Sequence, residues 1–248
     1  KKRPSRRGGR LGLQPMADKY GVPLMVDNDA NLGAVAEHWW GMGRNVDDIA
    51  YIKLATGIGS GHVIGGEIFR GSTGVAGEIG HIAIDPKGKQ CVCGLRGCLV
   101  TLVGGRALIA RAEELSAEYP DSPLAGETIT IRDIEDAALS GDPMAVRIAQ
   151  EAAGHLGRAM ASLLNLMNPA MLIVGGDLAR LGELLVEPLR ETVEKRTLVS
   201  SVAAAQIRTS ELGVQAIAIG AATMVLRAAL EDSHLFRPAA APRGNAVP

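Results

Sequence analysis

The chain alternates between short apolar runs and longer segments in which apolar residues recur every three or four positions. Short apolar runs bounded by turn residues predict buried strands, and the 3–4 spacing predicts helices with one buried face. Strands are predicted over residues 23–26, 49–55, 79–84, 171–174 and 205–208. Residues 62–64 and 67–69 flank Gly65-Gly66, which is typical of a hairpin.

The first helical periodicity opens at Asp29, and Leu32, Val35, Ala36 and Trp39 share its apolar face. Further helices are predicted over residues 102–115, 131–139, 145–167, 177–189 and 214–230. Asn168-Pro169 is expected to end the longest of them. A hairpin series followed by strand–helix units, without a tandem repeat, indicates an α/β protein with a mixed sheet.

The core has to be built from small and aliphatic side chains, because two Trp, two Phe and three Tyr stand against 31 glycines in 248 residues. Glycine on this scale indicates tight turns or a backbone that approaches a ligand closely. A hydrophobic content of 47% excludes a disordered chain. No apolar run approaches the ~18–20 residues of a membrane span, so we expect a cytoplasmic protein without membrane contact.

The two ends differ from the body in composition. Residues 1–10 hold six Lys or Arg and no acidic residue, so the remaining chain is net negative and does not attract DNA by itself. The basic stretch could be a nucleic-acid arm, but a solvated linker is the simpler interpretation. Residues 237–248 are rich in Pro and Ala and are expected to form a disordered tail.

All three cysteines lie close together, at Cys91, Cys93 and Cys98, ten residues and more after His81. An odd number so closely spaced does not suit a disulfide framework. Three thiolates and one imidazole are a ligand set that tetrahedral Zn²⁺ takes, and a site filled by protein would be structural. The alternative is three free cysteines and a core histidine.

Residues 27–31, Asp-Asn-Asp-Ala-Asn, stand where a predicted strand meets a predicted helix. A carboxylate such as Asp29, with the neighbouring Asn28 carboxamide, can hold sugar hydroxyls or accept a hydroxyl proton. Asp and Asn are also preferred helix caps. The local pattern by itself favours the cap.

Two glycine segments follow predicted strands. Thr56-Gly57 opens a Gly-rich stretch that extends to Gly61, and Gly175-Gly176 ends a later strand. Backbone amides there could approach a phosphate or a nucleotide, although glycine after a strand is more often a simple turn. Glu78 places a carboxylate three residues before the proposed metal ligand His81.

Taken together, these motifs closely resemble the ROK family of bacterial sugar kinases and sugar-responsive repressors. The resemblance extends from about residue 12 to residue 236. The motifs that carry it are Val26-Asp27-Asn28-Asp29-Ala30-Asn31, Thr56 to Gly61, Gly65-Gly66, Gly74-x-Ala76-Gly77-Glu78-Ile79-Gly80-His81, and Cys91-x-Cys93-Gly94-x-x-Gly97-Cys98.

The resemblance implies an actin-like, hexokinase-type two-lobed fold. It implies zinc on the histidine and the three cysteines, and sugar hydroxyls held by Asn28, Asp29, Glu78 and His81. In a family kinase the residue matching Asp29 is the general base, and ATP with Mg²⁺ donates the phosphoryl group. Thr56-Gly57 would then line a phosphate loop, and Gly175-Gly176 the adenosine pocket.

Two departures from the family pattern bear on function. The family's Asp-x-Gly-Gly-Thr phosphate loop does not occur, and Val100 stands where the family has a sugar-binding glutamate. We therefore expect a largely missing N-terminal lobe, with residues 1–11 a basic linker and 12–45 the remnant of that lobe. Residues 46–236 would form the C-terminal actin-like lobe, with the zinc loop at 81–98.

The first functional expectation is a sugar-sensing domain of a ROK-type transcriptional regulator, whose contact with DNA runs through a domain absent from this chain. The alternative is an ATP-dependent hexose or N-acetylhexosamine kinase. A third is a decayed family member that only dimerises. The expected partners are a sugar or sugar phosphate and further copies of the chain, as a homodimer or dimer of dimers.

Overall fold

The computed structural model describes residues 15–22, 24–126, 128–197 and 205–232. In these ranges five strands form one mixed sheet of order β3-β2-β1-β4-β5. They are β1 (Ile49–Leu54), β2 (Ile58–Ile64), β3 (Glu67–Phe69), β4 (Met171–Gly176) and β5 (Gln206–Thr209). β1 is antiparallel to β2 and parallel to β4. The prediction of an α/β protein with a mixed sheet is confirmed.

Residues 15–20 are helical and are not labelled; the helices that follow are named in chain order. They are α1 (Asp29–Trp40), α2 (Val100–Val103), α3 (Gly105–Leu115), α4 (Ile131–Leu139), α5 (Pro143–Met167), α6 (Glu183–Glu194) and α7 (Ala216–Glu231). Asn168, in the left-handed region with φ 43°, ends α5 as predicted. The predicted hairpin is confirmed, because Gly65 and Gly66 both have positive φ and join β2 to β3.

The sheet separates two apolar cores. Along β1, Ala50, Ile52 and Leu54 pack with the α3–α6 side, whereas Ile49 and Tyr51 pack with α1 and α7. This alternation follows from the two-residue period of a strand. β1 is therefore buried on both faces, and its one charged side chain, Lys53, lies near its carboxyl end.

Helices α1 and α7 touch through backbone. A Cβ at Gly220 would stand 1.9 Å from the carbonyl oxygen of Leu32, so glycine is required at the crossing. Trp40 Nε1 donates a hydrogen bond of 2.7 Å to Thr223 Oγ1 on the same contact. α1 is thereby held between the sheet and α7, which fixes the direction of its N-terminus.

Two predicted strands are wrong. Residues 24–26 form no strand, and Val26 is 68% exposed, because no described segment lies beside them to complete a hydrogen-bonded ladder. Residues 79–84 instead hold a short 3₁₀ turn, Ile79–His81, and an isolated bridge from Ala83 to Cys98. This segment crosses over β2 rather than pairing with it.

Some predicted helix limits also need correction. The helix expected over 102–115 is divided at Gly104 into α2 and α3. The chain after Gly176 first forms a 3₁₀ turn, Asp177–Leu181, and α6 begins only after Gly182, whose φ is 54°. The predicted tails at 1–11 and 237–248 lie outside the described residues.

The C-terminal helical segment corrects an expectation about apolar length. Gly213–Glu231 spans 19 residues with a mean hydropathy of 1.6, enough by length and composition to cross a membrane. Length and composition are weak evidence for a span, since packed helices of soluble proteins meet the same test. Here one face of the helix packs on α1 through Ala216, Gly220 and Thr223, and the rest of the segment is partly or fully exposed, with 17% of it buried.

Candidate functional site

The predicted metal ligands come together. The donor atoms of His81, Cys91, Cys93 and Cys98 all lie within 4.8 Å of one another. Cys91 Sγ is 3.5 Å from His81 Nδ1, and Cys93 Sγ is 3.6 Å from Cys98 Sγ. Tetrahedral zinc with bonds of about 2.3 Å to sulfur and about 2.0–2.1 Å to nitrogen requires ligand separations of about 3.5–3.8 Å. The four residues therefore fit a metal ion of this kind.

The loop that carries the thiols is shaped by tight turns. A Cβ at Gly97, whose φ is 64°, would stand 1.5 Å from the carbonyl oxygen of Asp85. Cys98 is buried, and burial raises the pKa of its thiol to about 12, with the neighbouring Cys93 and Cys91 adding to the effect. A bound cation would favour the thiolate forms instead.

Glu78 is positioned by two close backbone approaches. Gly77, with φ 92°, accepts a hydrogen bond of 2.8 Å from the amide of Ser60, and a Cβ on it would stand 1.8 Å from the Ser60 carbonyl oxygen. A Cβ on Gly80 would stand 2.4 Å from the carbonyl oxygen of Ile58. Only glycines at both positions let the turn press on β2 and hold Glu78 at the cleft.

The same turn joins Glu78 to the metal ligands. Glu78 Oε2 lies 4.0 Å from His81 Nε2, while His81 Nδ1 faces Cys91. A metal-bound histidine commonly directs its second ring nitrogen toward a carboxylate, which fixes its orientation. The arrangement suits a histidine that connects the metal loop with the cleft.

At the start of α1, capping and site geometry coexist. Asn28 is the N-cap, and its Oδ1 accepts a hydrogen bond of 2.9 Å from the amide of Ala30. Asp29 is the first helical residue, and its Oδ2 accepts a hydrogen bond from Lys53 Nζ. The cap therefore uses Asn28 and leaves the Asp29 side chain facing the sheet.

Asp27 stabilises this junction from outside the cleft. Its Oδ1 accepts a hydrogen bond of 2.8 Å from Asn31 Nδ2, and its Oδ2 one of 2.8 Å from Arg70 Nε. Burial by itself raises the pKa of Asp27, but the hydrogen bonds from Asn31 and Arg70 outweigh it and hold the pKa below its ordinary value. Asp27 is thus a fully engaged structural carboxylate.

A small cleft of about 140 Å³ gathers most of the predicted sugar-binding groups. Its lining residues are Asn28, Asp29, Lys53, Gly57, Ile58, Gly59, Ala76, Gly77 and Glu78. His81 borders the cleft through Glu78 and does not line it. The structure therefore brings Asn28, Asp29 and Glu78 to one place, from segments about 50 residues apart in the sequence.

The two glycine segments meet at one sheet edge. Thr56 and Gly57 follow the end of β1, and Gly175 and Gly176 end β4, its parallel neighbour. Gly176 has φ 86°, and a Cβ on it would stand 2.3 Å from the Leu54 carbonyl oxygen. The carboxyl edge of parallel strands is where open α/β sheets bind ligands, and Gly57 lies on the cleft itself.

Larger cavities lie elsewhere. One of about 380 Å³ between the metal loop and helices α3 and α5 is lined in part by Arg111, Glu114 and Glu151. These groups are already joined to one another, since Arg111 bonds Glu151 at 2.7 Å and Glu114 at 3.1 Å. Size alone therefore does not identify the site, and the smaller cleft is favoured because it gathers Asn28, Asp29 and Glu78.

Sequence reasoning missed Lys53, which the structure places in the cleft with its Nζ on Asp29. A signal was present, because Lys53 is the one charged residue in the apolar run 49–55. A lysine in a strand buried on both faces needs an anionic partner. The partner could not be named, since Asp29 lies 24 positions away.

Val100, predicted to weaken sugar binding, begins α2 and packs partly against the larger core. It does not line the cleft. Position 100 thus contributes packing here, and no hydrogen-bonding group.

Comparison with known proteins identifies the relatives. The chain is 35% identical over 221 residues to a glucokinase from Halalkalibacterium halodurans, covering 85% of this chain and 67% of that protein. A ROK family glucokinase from Streptomyces griseus, solved with glucose and AMPPNP, aligns with a TM-score of 0.77 and 35% identity, over 84% of this chain and 70% of that one.

A ROK family transcriptional regulator, described as a homologue of the Escherichia coli MLC protein, aligns with a TM-score of 0.80 and 33% identity. That alignment covers 89% of this chain and 55% of the regulator, so this chain spans little more than half of the regulator's length. Kinases and regulators are thus similar to it to the same degree. The neighbours also confirm the predicted actin-like kinase fold. The family model described as ROK family matches residues 13–228, and the chain therefore belongs to the ROK family.

Proposed function

We propose that this chain is the sugar-sensing, effector-binding part of a ROK-type transcriptional regulator. The observation that carries the proposal is the convergence of Asn28, Asp29 and Glu78 on one cleft of about 140 Å³. Carboxylates and a carboxamide grouped in this way suit the hydroxyls of a monosaccharide. The three proteins described above include a sugar-phosphorylating enzyme and a regulator, and sugar binding fits both.

Sensing is favoured over phosphorylation by Val100. The resemblance assigns this position to a sugar-binding glutamate, whereas here a valine packs against the core. Sensing needs only binding that differs between two conformations, and phosphoryl transfer needs the acceptor hydroxyl held within about 1 Å of its place. Loss of one sugar contact therefore harms catalysis more than sensing. DNA would be contacted through a domain other than the described residues.

Zinc is part of the proposal. His81, Cys91, Cys93 and Cys98 would hold it, with all four positions filled by protein, and the ion would neutralise thiolate charge and brace the loop. The loop in turn supports His81 and Glu78. The three cysteines must stay reduced to hold the ion, which suits a reducing compartment, so we place the protein in the cytoplasm. Assembly as a homodimer or dimer of dimers stays a prediction.

The second candidate is an ATP-dependent hexose or N-acetylhexosamine kinase. It is favoured by the 35% identity to a glucokinase solved with glucose and AMPPNP. In that case Asp29 is the general base. Thr56-Gly57 and Gly175-Gly176, at the carboxyl edge of β1 and β4, receive ATP with Mg²⁺.

Binding and turnover together test the proposal on the full-length gene product. Calorimetry with glucose, mannose, N-acetylglucosamine and N-acetylmannosamine should find a ligand, and Asp29→Ala should abolish its binding. An ADP-release assay with the same sugars should show no turnover. Turnover of ~1 s⁻¹ or faster would establish the kinase instead. Normal sugar binding by Asp29→Ala would reduce Asp29 to a structural residue of α1.

Val100→Glu separates the two candidates further. Val100 does not line the cleft, but the resemblance places a sugar-binding carboxylate at this position, so Val100→Glu should raise sugar affinity about tenfold or more, the value of a hydrogen bond to a charged group. Leu166→Glu adds the same charge at an exposed site at the end of α5 and should change nothing. Higher affinity without ATP turnover supports a sensor, whereas a gain of both means a kinase weakened by one substitution.

A further inference from the structure

Lys53 occupies an unusual place on the sheet. Its neighbours across β1 are Gly59 on β2 and Gly175 on β4, so neither adjacent strand offers a side chain beside it. The Lys53 side chain is 19% exposed and its Nζ bonds Asp29 Oδ2. The ring of Tyr51, two residues earlier on the same face of β1, covers Gly175. Lys53 reaches the start of α1, and its ammonium group stands in the cleft.

The cleft offers both donors and acceptors to a ligand. An ammonium has three hydrogens, and one of those on Lys53 goes to Asp29. Asn28 Oδ1 accepts the cap bond from Ala30, whereas its amide hydrogens are donated to no described group and are open to a ligand. Asp29 Oδ1 and the Glu78 carboxylate accept. A sugar hydroxyl both donates and accepts, so it needs such mixed surroundings.

The charged residues around the cleft disfavour the binding of an anionic ligand. Lys53 is paired with Asp29, and Arg70 is paired with Asp27. Among the described groups lining the cleft, Glu78 is the charge with which no described Lys or Arg pairs; the His81 ring lies 4.0 Å from its Oε2. An incoming phosphate or carboxylate would meet this negative charge, with the cation that could receive it already engaged.

We propose, on the basis of the proposed sugar-binding function, that Lys53 is a ligand-recognition residue that acts with Asp29 on two neighbouring hydroxyls of a neutral sugar. One hydroxyl donates to Asp29 and the next accepts from the Lys53 ammonium. Because the ammonium donates to Asp29 Oδ2, Oδ1 is the Asp29 oxygen that accepts from no described group, and the first hydroxyl is assigned to it. Because the Glu78 charge disfavours an anion, the site binds an unphosphorylated sugar. Lys53 and Asp29 together recognise two hydroxyls on adjacent carbons of that sugar.

The test is a thermodynamic cycle between protein and ligand, measured by calorimetry on the zinc-loaded full-length protein. The probes are the tightest sugar of the four-sugar panel, its monodeoxy analogues and its 6-phosphate. Lys53→Met, which keeps the aliphatic stem, should weaken sugar binding about 10- to 100-fold. Lys53→Arg should retain part of the affinity. Lys195→Met, at an exposed ion pair just after the end of α6, is the matched control and should bind normally.

The deoxy analogues give a readout that a structural role would not move. Removal of the hydroxyl at each of two adjacent positions should lower the affinity of wild type about tenfold. Removal at one of these two positions should leave the affinity of Lys53→Met unchanged. If no deoxy position matters to wild type, or Lys53→Met binds normally, Lys53 is not a ligand residue. Tighter binding of the 6-phosphate would overturn the neutral-ligand assignment. Absence of any sugar binding by wild type would instead refute the proposed function. Should Lys53→Met fail to fold, the wild-type deoxy and 6-phosphate profiles still decide.

Discussion

At the residue scale, the site depends on side chains held by close contacts, and His62 is one of them. It lies buried on β2, with Nε2 2.9 Å from Ser60 Oγ, which in turn donates to the Gly77 carbonyl at 3.2 Å. This chain of contacts ends on the residue next to Glu78. Burial lowers the pKa of His62 below its ordinary value.

The shift predicts a pH dependence of stability. The unfolded chain takes up a proton at about pH 6.5 while the folded His62 does not, so the free energy of unfolding should fall as the pH drops below about 6.5. His38 and His155, whose pKa values burial also lowers, share this sign. Urea unfolding between about pH 7 and about pH 5.5 should show a shallower loss for His62→Gln. An equal loss would mean that His62 titrates normally.

At the scale of elements, α1 is placed by the sheet on one side and α7 on the other. The α1–α7 contact is as close as backbone allows at Gly220, which lies against Leu32. Because α1 begins at the cleft, this distant crossing helps to aim Asn28 and Asp29. The long helix α5 offers a contrast, since a Cβ at its Gly154 would meet nothing within 4 Å.

The two glycines therefore predict opposite effects of one substitution. Gly220→Ala should destabilise the protein by about 1–3 kcal/mol, because the added methyl overlaps a carbonyl that cannot move freely. Gly154→Ala should stabilise it by roughly 0.5–1 kcal/mol, since alanine restricts the unfolded chain and fits the helix. Denaturant midpoints measure both. Similar values for the two variants would contradict the close crossing of α1 and α7.

At the scale of the whole molecule, one sheet joins two halves of the proposed site. The hairpin side positions Glu78 and the metal loop, and the parallel side positions the glycine edges of β1 and β4. The metal loop connects to the helical layer through Lys89, which bonds Glu114 on α3 at 2.9 Å. Loss of the metal should therefore lower the stability of the whole protein and not only loosen the loop.

Removal of one thiol tests this coupling. Protein purified without added metal should hold about one equivalent of zinc, and Cys93→Ser should hold less than about a tenth, with a lower melting temperature, because metal binding is coupled to folding. Val92→Ser, at a side chain 99% exposed in the same loop, is the control and should keep its metal. Wild-type protein that contains no zinc would contradict the assignment of a zinc site to these four residues.

The sequence by itself determined what local periodicity encodes. The strands β1, β3 and β4, the hairpin turn and the long helix α5 were predicted because each depends on residues close together in the chain. Of β2 only residues 62–64 were predicted, because its first half, residues 58–61, has the glycine content of a loop. The clustering of the four candidate metal ligands was predictable for the same reason, since all four lie within 18 positions. Their donor types and spacing carry the chemistry without knowledge of the fold.

The tertiary structure decided what contacts between distant residues set. Residues 24–26 and 79–84 have the apolar pattern of strands, but a strand also needs a paired neighbour, and pairing is not a local property. Likewise the sequence pattern around Asp29 is that of a helix cap. The tertiary structure shows that Asn28 is the cap and that Asp29 accepts a hydrogen bond from Lys53 on β1. Because β1 is buried on both faces, the charge of Lys53 requires an anionic partner. The packing of α1 on the sheet brings the Asp29 carboxylate to it.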